Sequence, residues 1–247
     1  GPIIGEFVMG DVAESARGLN AGHFNAVFVV TAGAAVLAAL VSLTAPAFVG
    51  ERPARIRRKV SWFHKRSLLP GAILAVGMAA WTAFTSFVPT FSKSIGLSGS
   101  AQFFALYSIL CLFLRLFGAK TPERLGLRRS VWMAMSFLLC GVTSVAVLGN
   151  EFGIWVGTIF FALGVSFFYP SLLAMAVEGS DENERVEIVS SFTSFFEIGG
   201  VMGGLALGLV GELFGERSTF VGGMVFASLG LLLLARTRQK SSPTIAV

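Results

Sequence analysis

The amino-acid sequence predicts an all-α integral membrane protein. The chain of 247 residues is 54% hydrophobic and only 13% charged, a composition that a soluble domain of this length would not keep in solution. Its apolar residues form seven long stretches, each close to the ~20 residues that a helix needs to cross a bilayer. Because backbone amides inside lipid must be satisfied within their own segment, the stretches are predicted to be helices.

The seven predicted spans are joined by mostly short connections. In chain order they are residues 23–48, 68–92, 97–114, 130–150, 152–177, 188–211 and 218–235. All lack charged residues except 188–211, which contains Glu197. The glycines of that span recur four residues apart, at 199/203, 200/204 and 204/208. This spacing lets helix backbones approach closely in lipid, either for static packing or for the sliding of one helix against another.

Basic residues gather at alternate connections and predict how the chain is oriented. Seven Lys and Arg lie between residues 50 and 67, five between 115 and 129, and three between 236 and 240. By the positive-inside rule these loops and the C-terminus face the cytoplasm. The acidic connection 179–187 is assigned to the same side by the parity of the spans. The loops account for most of the net charge of +5, so no nucleic-acid partner is predicted.

The basic segment 52–66 marks the main domain boundary. It alternates apolar residues such as Ile56 and Trp62 with arginines and lysines. Such a segment is either a solvated linker or an amphipathic helix on the inner membrane surface. The predicted domains are 1–48 (the end of a first bundle), 49–67 (the cytoplasmic loop between bundles), 68–235 (a six-helix membrane bundle) and 236–247 (a cytoplasmic tail).

The loop after the third span carries an ordered set of charges around a glycine. It contains Glu123-Arg124, then Gly126, then Arg128-Arg129. A glycine suits a tight turn, an acid pairs with arginines or a helix N-terminus, and cations favour the cytoplasmic side. This order resembles the cytoplasmic loop signature of the major facilitator superfamily. There are two departures, because Ala119 stands where the family has its first glycine and Glu123 replaces the usual aspartate.

Other segments are similar to the same family. The start, Gly1-Pro2-Ile3-Ile4-Gly5, is similar to the glycine-proline motif on helix 5 of the family's antiporters, although an expression-tag remnant would also leave Gly-Pro. Residues 168–171 and 192–199 look like parts of helices 10 and 11. The resemblance implies the end of helix 5, helix 6, and helices 7 to 12 as two inverted three-helix repeats. Because the chain lacks an initiator Met, we expect a piece of a longer protein that lacks most of the N-terminal bundle.

The resemblance also implies which helices line a substrate path. In this family the first helix of each repeat usually does so, here spans 68–92 and 152–177. The candidate residues are Trp81, Thr85, Ser166 and Tyr169. Each span contains a proline that frees a backbone carbonyl, Pro89 or Pro170. Aromatic rings beside hydroxyls suit an amphiphilic or apolar organic solute; the alternative is an interfacial belt or plain packing.

Glu197 is the one acidic residue inside a predicted span. A charged carboxylate at the centre of a membrane helix costs roughly 2.5–3.5 kcal/mol on insertion scales, so we expect it to face protein or a water-filled cavity. It is a candidate for proton coupling, and the alternative is a hydrogen bond that only packs helices. Glu6, near the predicted end of helix 5, is a second candidate.

These observations predict a secondary transporter that moves a small organic solute by alternating access in the plasma membrane. Proton-coupled efflux is the form that the resemblance implies. The expected partners are the solute, protons, the lipid bilayer and the missing N-terminal bundle, and the piece alone is expected to be inactive. No catalytic set, metal or cofactor is predicted, because His23 and His64 fall on opposite membrane sides, which disfavours a membrane enzyme. A non-transporting scaffold that acts through its basic loop, or a half-transporter remnant, stays open as an alternative.

Overall fold

The structure is a computed structural model and describes residues 64–118 and 125–236, together with 32, 33, 35–37, 39 and 40. The chain divides into two compact units, Gly1–Ser61 and Trp62–Val247. Several predictions lie outside the described residues: the motif Gly1, Pro2 and Gly5, the candidate Glu6, the loop residues Glu123 and Arg124, and most of 23–48, of 52–66 and of 236–247.

The described part of the second unit folds into six helices. They are α1 (Lys65–Ser94), α2 (Ala101–Phe117), α3 (Leu127–Leu148), α4 (Glu151–Val177), α5 (Glu182–Phe214) and α6 (Glu216–Arg236). Among the described helices, five are long and apolar enough to cross a membrane, and α2, of 17 residues, is a shorter apolar helix. Each predicted span from 68 onward overlaps one of them.

Two helices begin four or more residues from the start of their predicted spans. Helix α2 begins at Ala101 rather than 97, because residues 95–100 form the turn after α1, in which the Leu97 amide bonds to the Ser92 carbonyl (2.9 Å). Helix α5 begins at Glu182 rather than 188. Acidic residues in a first turn are stabilised by the positive end of the helix dipole, so this acidic stretch continues the helix instead of forming a loop.

The six helices pair in a pattern with two-fold pseudosymmetry. Helix α1 packs against α5 and α6, and α4 packs against α2 and α3. The first helices of the two halves, α1 and α4, also contact each other, as do the third helices α3 and α6. Exchanging α1–α3 with α4–α6 leaves these six contacts unchanged, as expected of two inverted three-helix repeats. The contacts α5–α6, α1–α3 and α4–α5 have no counterpart of similar extent.

Two arginines tie α3 and α6 together at both ends, and we call them the arginine clamp. Arg217, near the start of α6, donates to the carbonyls of Ala146 and Val147 in the last turn of α3, both at 2.6 Å. Arg128, near the start of α3, donates to the Leu234 carbonyl in the last turn of α6 at 3.3 Å. The last carbonyls of a helix lack intrahelical donors, so each guanidinium supplies hydrogen bonds to carbonyls at the end of the partner helix.

Close contact between α1 and α5 depends on two small residues from each helix. A Cβ at Gly203 would lie 2.5 Å from the Ala79 Cα, and one at Gly199 would lie 2.6 Å from the Ala75 Cα. The neighbouring Gly200 has nothing within 4 Å of such a position. Of the four-residue glycine spacings in α5, 199/203 therefore makes the tight backbone contact with α1, as small residues do between membrane helices.

One end of the bundle serves as a reference for the site. We call the end where α1 begins the Lys65 end; there the Arg66 guanidinium donates to the Gly179 carbonyl between α4 and α5 (2.6 Å).

Toward the middle of the bundle, the buried Phe84 ring of α1 contacts the rings of Phe161 of α4 (4.4 Å between centroids) and Phe104 of α2 (5.7 Å). This aromatic contact joins α1, α2 and α4, three of the helices around the cavity.

Candidate functional site

A cavity of about 810 Å³ lies between α1, α2, α4 and α5. Its lining comprises Met78, Trp81, Tyr107, Leu114, Arg115, Gly118, Val165, Ser166, Phe167, Phe168, Tyr169, Pro170, Thr193, Phe196 and Glu197. The lining is mostly aromatic and apolar, and among these residues Arg115 and Glu197 carry the charges. A pocket of this size and composition is typical of sites for small organic molecules.

Aromatic side chains from four helices form one wall of the cavity. The Trp81 indole N–H donates to the Tyr107 hydroxyl at 3.1 Å, which joins α1 to α2. The Phe196 ring of α5 lies 6.5 Å from the Trp81 ring and 6.0 Å, edge to face, from the Tyr169 ring of α4. These spacings are those of interacting aromatic pairs, so the rings hold one another in place around the cavity.

The neutral hydroxyls of Ser166 and Thr193 donate to their own helices. Ser166 donates to the Ala162 carbonyl (2.7 Å), and Thr193 donates to the Val189 carbonyl (2.9 Å). Each therefore offers the cavity acceptor lone pairs but not its proton. Thr85 also donates to its own helix, to the Trp81 carbonyl at 3.3 Å.

The structure brings together three of the four substrate-path candidates. Trp81, Ser166 and Tyr169 line the cavity, whereas Thr85 is not among its lining residues. Thr85 lies one turn beyond Trp81 on α1, on the side away from the Lys65 end. Whether any of them contacts a solute stays a prediction.

Proline interrupts the helix at the cavity wall. Pro170 has no N–H, so the carbonyl of Ser166, four residues earlier, loses its usual helical donor. The next residue, Ser171, has a buried hydroxyl without a hydrogen-bond partner in the described part of the chain. Pro89 has the same effect on the Thr85 carbonyl in α1. Unsatisfied polar groups inside a membrane helix are tolerated where protein or a water-filled cavity accommodates them.

The two charged side chains of the cavity lie at different depths. Glu197 lies near the middle of α5, on an exposed face of the helix, and Arg115 lies in the last turn of α2, toward the Lys65 end. Neither makes an ion pair or a side-chain hydrogen bond with any residue that the structure describes. The cavity therefore holds a carboxylate and a guanidinium that are each open to a ligand.

The described part of the predicted loop motif surrounds the start of α3. Gly126, the residue before the helix, has φ +83°, in the left-handed region that favours glycine. Arg128 belongs to the arginine clamp, and Arg129 is exposed. Gly118 ends α2 and lines the cavity, and a Cβ there would lie 3.0 Å from the Phe167 ring. Of the described residues in and beside the motif, Gly118 therefore borders the cavity and Arg128 takes part in the α3–α6 contact.

Sequence reasoning missed Tyr107, Arg115 and Phe196 as cavity residues. Arg115 was assigned only to the positive-inside pattern, and α2 was not considered a path-lining helix. Tyr107 is one of two tyrosines in the chain, and a tyrosine within an apolar span is a signal that could have been followed. No metal-binding group of three or more His, Cys, Asp or Glu occurs among the described residues.

Comparison with known proteins places the chain in a family. Residues 1–204 match the Major Facilitator Superfamily. The chain belongs to the Major Facilitator Superfamily. This membership confirms the resemblance seen in the loop motif and, with the six apolar helices, the predicted all-α membrane fold. The superfamily is one of membrane transporters.

Curated relatives within the superfamily are distant in sequence and about twice as long. The chain is 25% identical over 222 residues to the "Uncharacterized MFS-type transporter YhhS" of Salmonella typhi, covering 87% of this chain and 52% of the relative. It is 23% identical over 222 residues to the protein of the same name from Escherichia coli, covering 89% and 54%. The chain thus spans about half the length of the relatives it matches. No solved structure matches it significantly.

Proposed function

We propose that this protein works as part of a proton-coupled secondary transporter that exports a small organic solute across the plasma membrane by alternating access. The observation that carries the proposal is Glu197, a carboxylate near the middle of a membrane helix that faces an otherwise aromatic and apolar cavity. Intramembrane acids that face a cavity are typical of proton and substrate pathways. Membership of the Major Facilitator Superfamily supports the transporter part of the proposal.

The charge of the loops supports an orientation for this transporter. Basic residues gather near the Lys65 end, so we assign that end and the C-terminus to the cytoplasm. Arg115 then lies at the cytoplasmic side of the cavity and Glu197 near the middle of the membrane. We expect helices of a second bundle to supply the facing wall, because the curated relatives are about twice as long as this chain.

Proton coupling follows from competition at Glu197. A solute with a positive or hydrogen-bond-donating group binds the ionised carboxylate, and a proton binds the same group from the other side of the membrane. Among the described lining residues, Arg115 on α2 is the other charged one, and Tyr107 and Tyr169 contribute phenols from α2 and α4. Mutually exclusive binding of proton and solute is what an antiporter requires.

Glu197→Gln tests this proposal, with Glu212→Gln as the matched control on the same helix. The full-length protein is reconstituted in proteoliposomes, and flux of aromatic amphiphiles is followed with and without an imposed pH gradient. We expect Glu197→Gln to abolish the response to the gradient, while solute exchange without a gradient persists at a reduced rate because the neutral amide oxygen still accepts a hydrogen bond from the solute. Glu212→Gln, near the far end of α5 and outside this cavity, should respond like wild type. A full response to the gradient in Glu197→Gln overturns the coupling role.

A further inference from the structure

We propose that the exported solute is a zwitterion, whose acidic group binds Arg115 and whose amino group binds Glu197. Its apolar or aromatic body would lie against the wall formed by Trp81, Tyr169 and Phe196. This inference rests on the proposed function, because it takes the cavity between α1, α2, α4 and α5 as the solute site.

The first argument is that the cavity contains one charge of each sign and the two do not neutralise each other. Arg115 and Glu197 both line it, yet they form no ion pair with each other or with another described residue. Both side chains are exposed in the structure, so the cost of removing a charge from water without a counter-charge arises when the site closes around a solute. When the cavity closes around a solute, complementarity therefore favours a molecule that brings both a negative and a positive group.

The second argument is that two of the neutral hydroxyls in the cavity have no proton to offer an acidic solute group. Ser166 and Thr193 already donate their hydroxyl protons to helix carbonyls, so they offer no donor to a carboxylate. The Tyr107 hydroxyl accepts the indole N–H of Trp81, which occupies part of its capacity. An acidic solute group therefore finds its strongest donor in the Arg115 guanidinium, which suits bidentate pairing with a carboxylate.

The third argument is the placement of the charges, which orients the solute. Arg115 lies toward the Lys65 end and Glu197 near the middle of α5, so the acidic group points to that end and the amino group points inward. The positive-inside rule explains why an arginine occurs at the end of α2. It does not require that the side chain line a cavity opposite a carboxylate, which is the observation that the proposal uses.

Two matched sets of three probes test the charge requirement in the full-length protein in proteoliposomes. One set shares an indole body: L-tryptophan, tryptamine and indole-3-propionate. The other shares a phenyl body: L-phenylalanine, phenethylamine and 3-phenylpropionate. Each set provides a zwitterion, a cation and an anion of similar size. Competition and flux are measured for wild type and for Arg115→Gln, Arg115→Lys, Glu197→Gln and the control Arg185→Gln, an exposed arginine in the first turn of α5 that does not line the cavity.

We expect wild type to prefer each zwitterion to its cation and anion by about tenfold or more, the scale of one charged hydrogen bond. Arg115→Gln should weaken the zwitterion and the anion but not the cation, and Arg115→Lys should retain part of the preference. Glu197→Gln should weaken the zwitterion and the cation but not the anion. Arg185→Gln should match wild type, which would show that losing a positive charge near this end does not by itself change the preference.

Three results overturn the inference, and the first two separate it from the proposed function. If the protein moves the cations or the anions better than the zwitterions, the transporter assignment stands and the zwitterion is rejected. The same rejection follows if Arg115→Gln and Glu197→Gln weaken all three charge types equally. If none of the six probes is moved while the protein is folded and inserted, both this inference and the proposed solute class fall.

Discussion

At the scale of single residues, the hydrogen bond between Trp81 and Tyr107 connects two helices of the cavity wall. It spans α1 and α2 at 3.1 Å and is partly buried. Helix α2 packs mainly on α4, so this bond is a specific link between α2 and α1. Losing it would leave an indole N–H without a partner in a largely apolar place, which costs about 1–3 kcal/mol.

A double-mutant cycle tests this link. We expect Tyr107→Phe to lower the free energy of unfolding by about 1–2 kcal/mol, because the phenol oxygen that accepts the indole N–H is removed. Trp81→Phe should cost a similar amount, and the double variant should cost less than the sum of the two. Thermal unfolding in detergent measures each value. Strict additivity of the two substitutions would show that the residues do not interact.

Individual residues were predicted with uneven success. Glu197 could be singled out because a lone acid in an apolar span is unusual whatever its neighbours are. Arg115 could not, because an arginine at a helix end has the same sequence signature whether it serves topology or lines a cavity. Whether the Arg115 side chain lines the cavity depends on how α2 is rotated about its own axis.

At the scale of helices, the arginine clamp explains how α3 and α6 are held in register. Arg217 makes two short bonds to the end of α3, and Arg128 makes one longer bond to the end of α6. Both arginines take the second position of their helices, so the contact repeats under the pseudosymmetry. Arg128 belongs to the loop motif, and this contact gives that part of the motif a structural role.

Alanine substitutions should rank the members of the clamp. We expect Arg217→Ala to lower stability by about 1–2 kcal/mol, because two last-turn carbonyls of α3 lose a charged donor. Arg128→Ala should cost less, since it loses one longer bond. Arg129→Ala is the control, because that side chain is exposed. Thermal unfolding in detergent gives the order, and an equal effect for all three variants would contradict the clamp.

The contact between α1 and α5 makes a second prediction for helices. Gly203→Ala should destabilise the protein by about 1–3 kcal/mol, because its new methyl group meets the backbone of Ala79 and forces the helices apart. Gly200→Ala is the matched control with open space around it, and there the better helix propensity of alanine should make it neutral or slightly stabilising. The free energy of unfolding is measured for both variants, and similar values for the two would rule out the tight contact.

The glycine spacing predicted that α5 packs closely on another helix, but not which pair does so. The positions 199/203 and 200/204 have the same spacing and differ only by one residue of rotation around the helix. Rotation is set by packing against α1, where Ala75 and Ala79 present small side chains. It therefore could be read only from the folded structure.

At the scale of the whole molecule, the orientation in the membrane is a testable prediction. After Cys111 and Cys140, both free thiols, are replaced by serine, single cysteines are introduced as Ser98→Cys and Glu178→Cys, at exposed positions in two different connections. We expect a membrane-impermeant thiol reagent added outside intact cells to label Ser98→Cys but not Glu178→Cys, because the positive-inside rule assigns these connections to opposite sides. The reverse labelling pattern would refute the orientation.

The membrane location, the all-α class and the family resemblance follow from the sequence alone. The chain's membership of the Major Facilitator Superfamily confirms the resemblance. These three features depend on hydrophobicity summed along each span and on short motifs, and neither property needs distant contacts. The tertiary structure decided that Arg115 of α2, Trp81 of α1, Tyr169 of α4 and Glu197 of α5 line one cavity. It also decided that α3 and α6 cap each other through the arginine clamp. These contacts depend on the rotation and tilt of each helix, which are set only when the helices pack together.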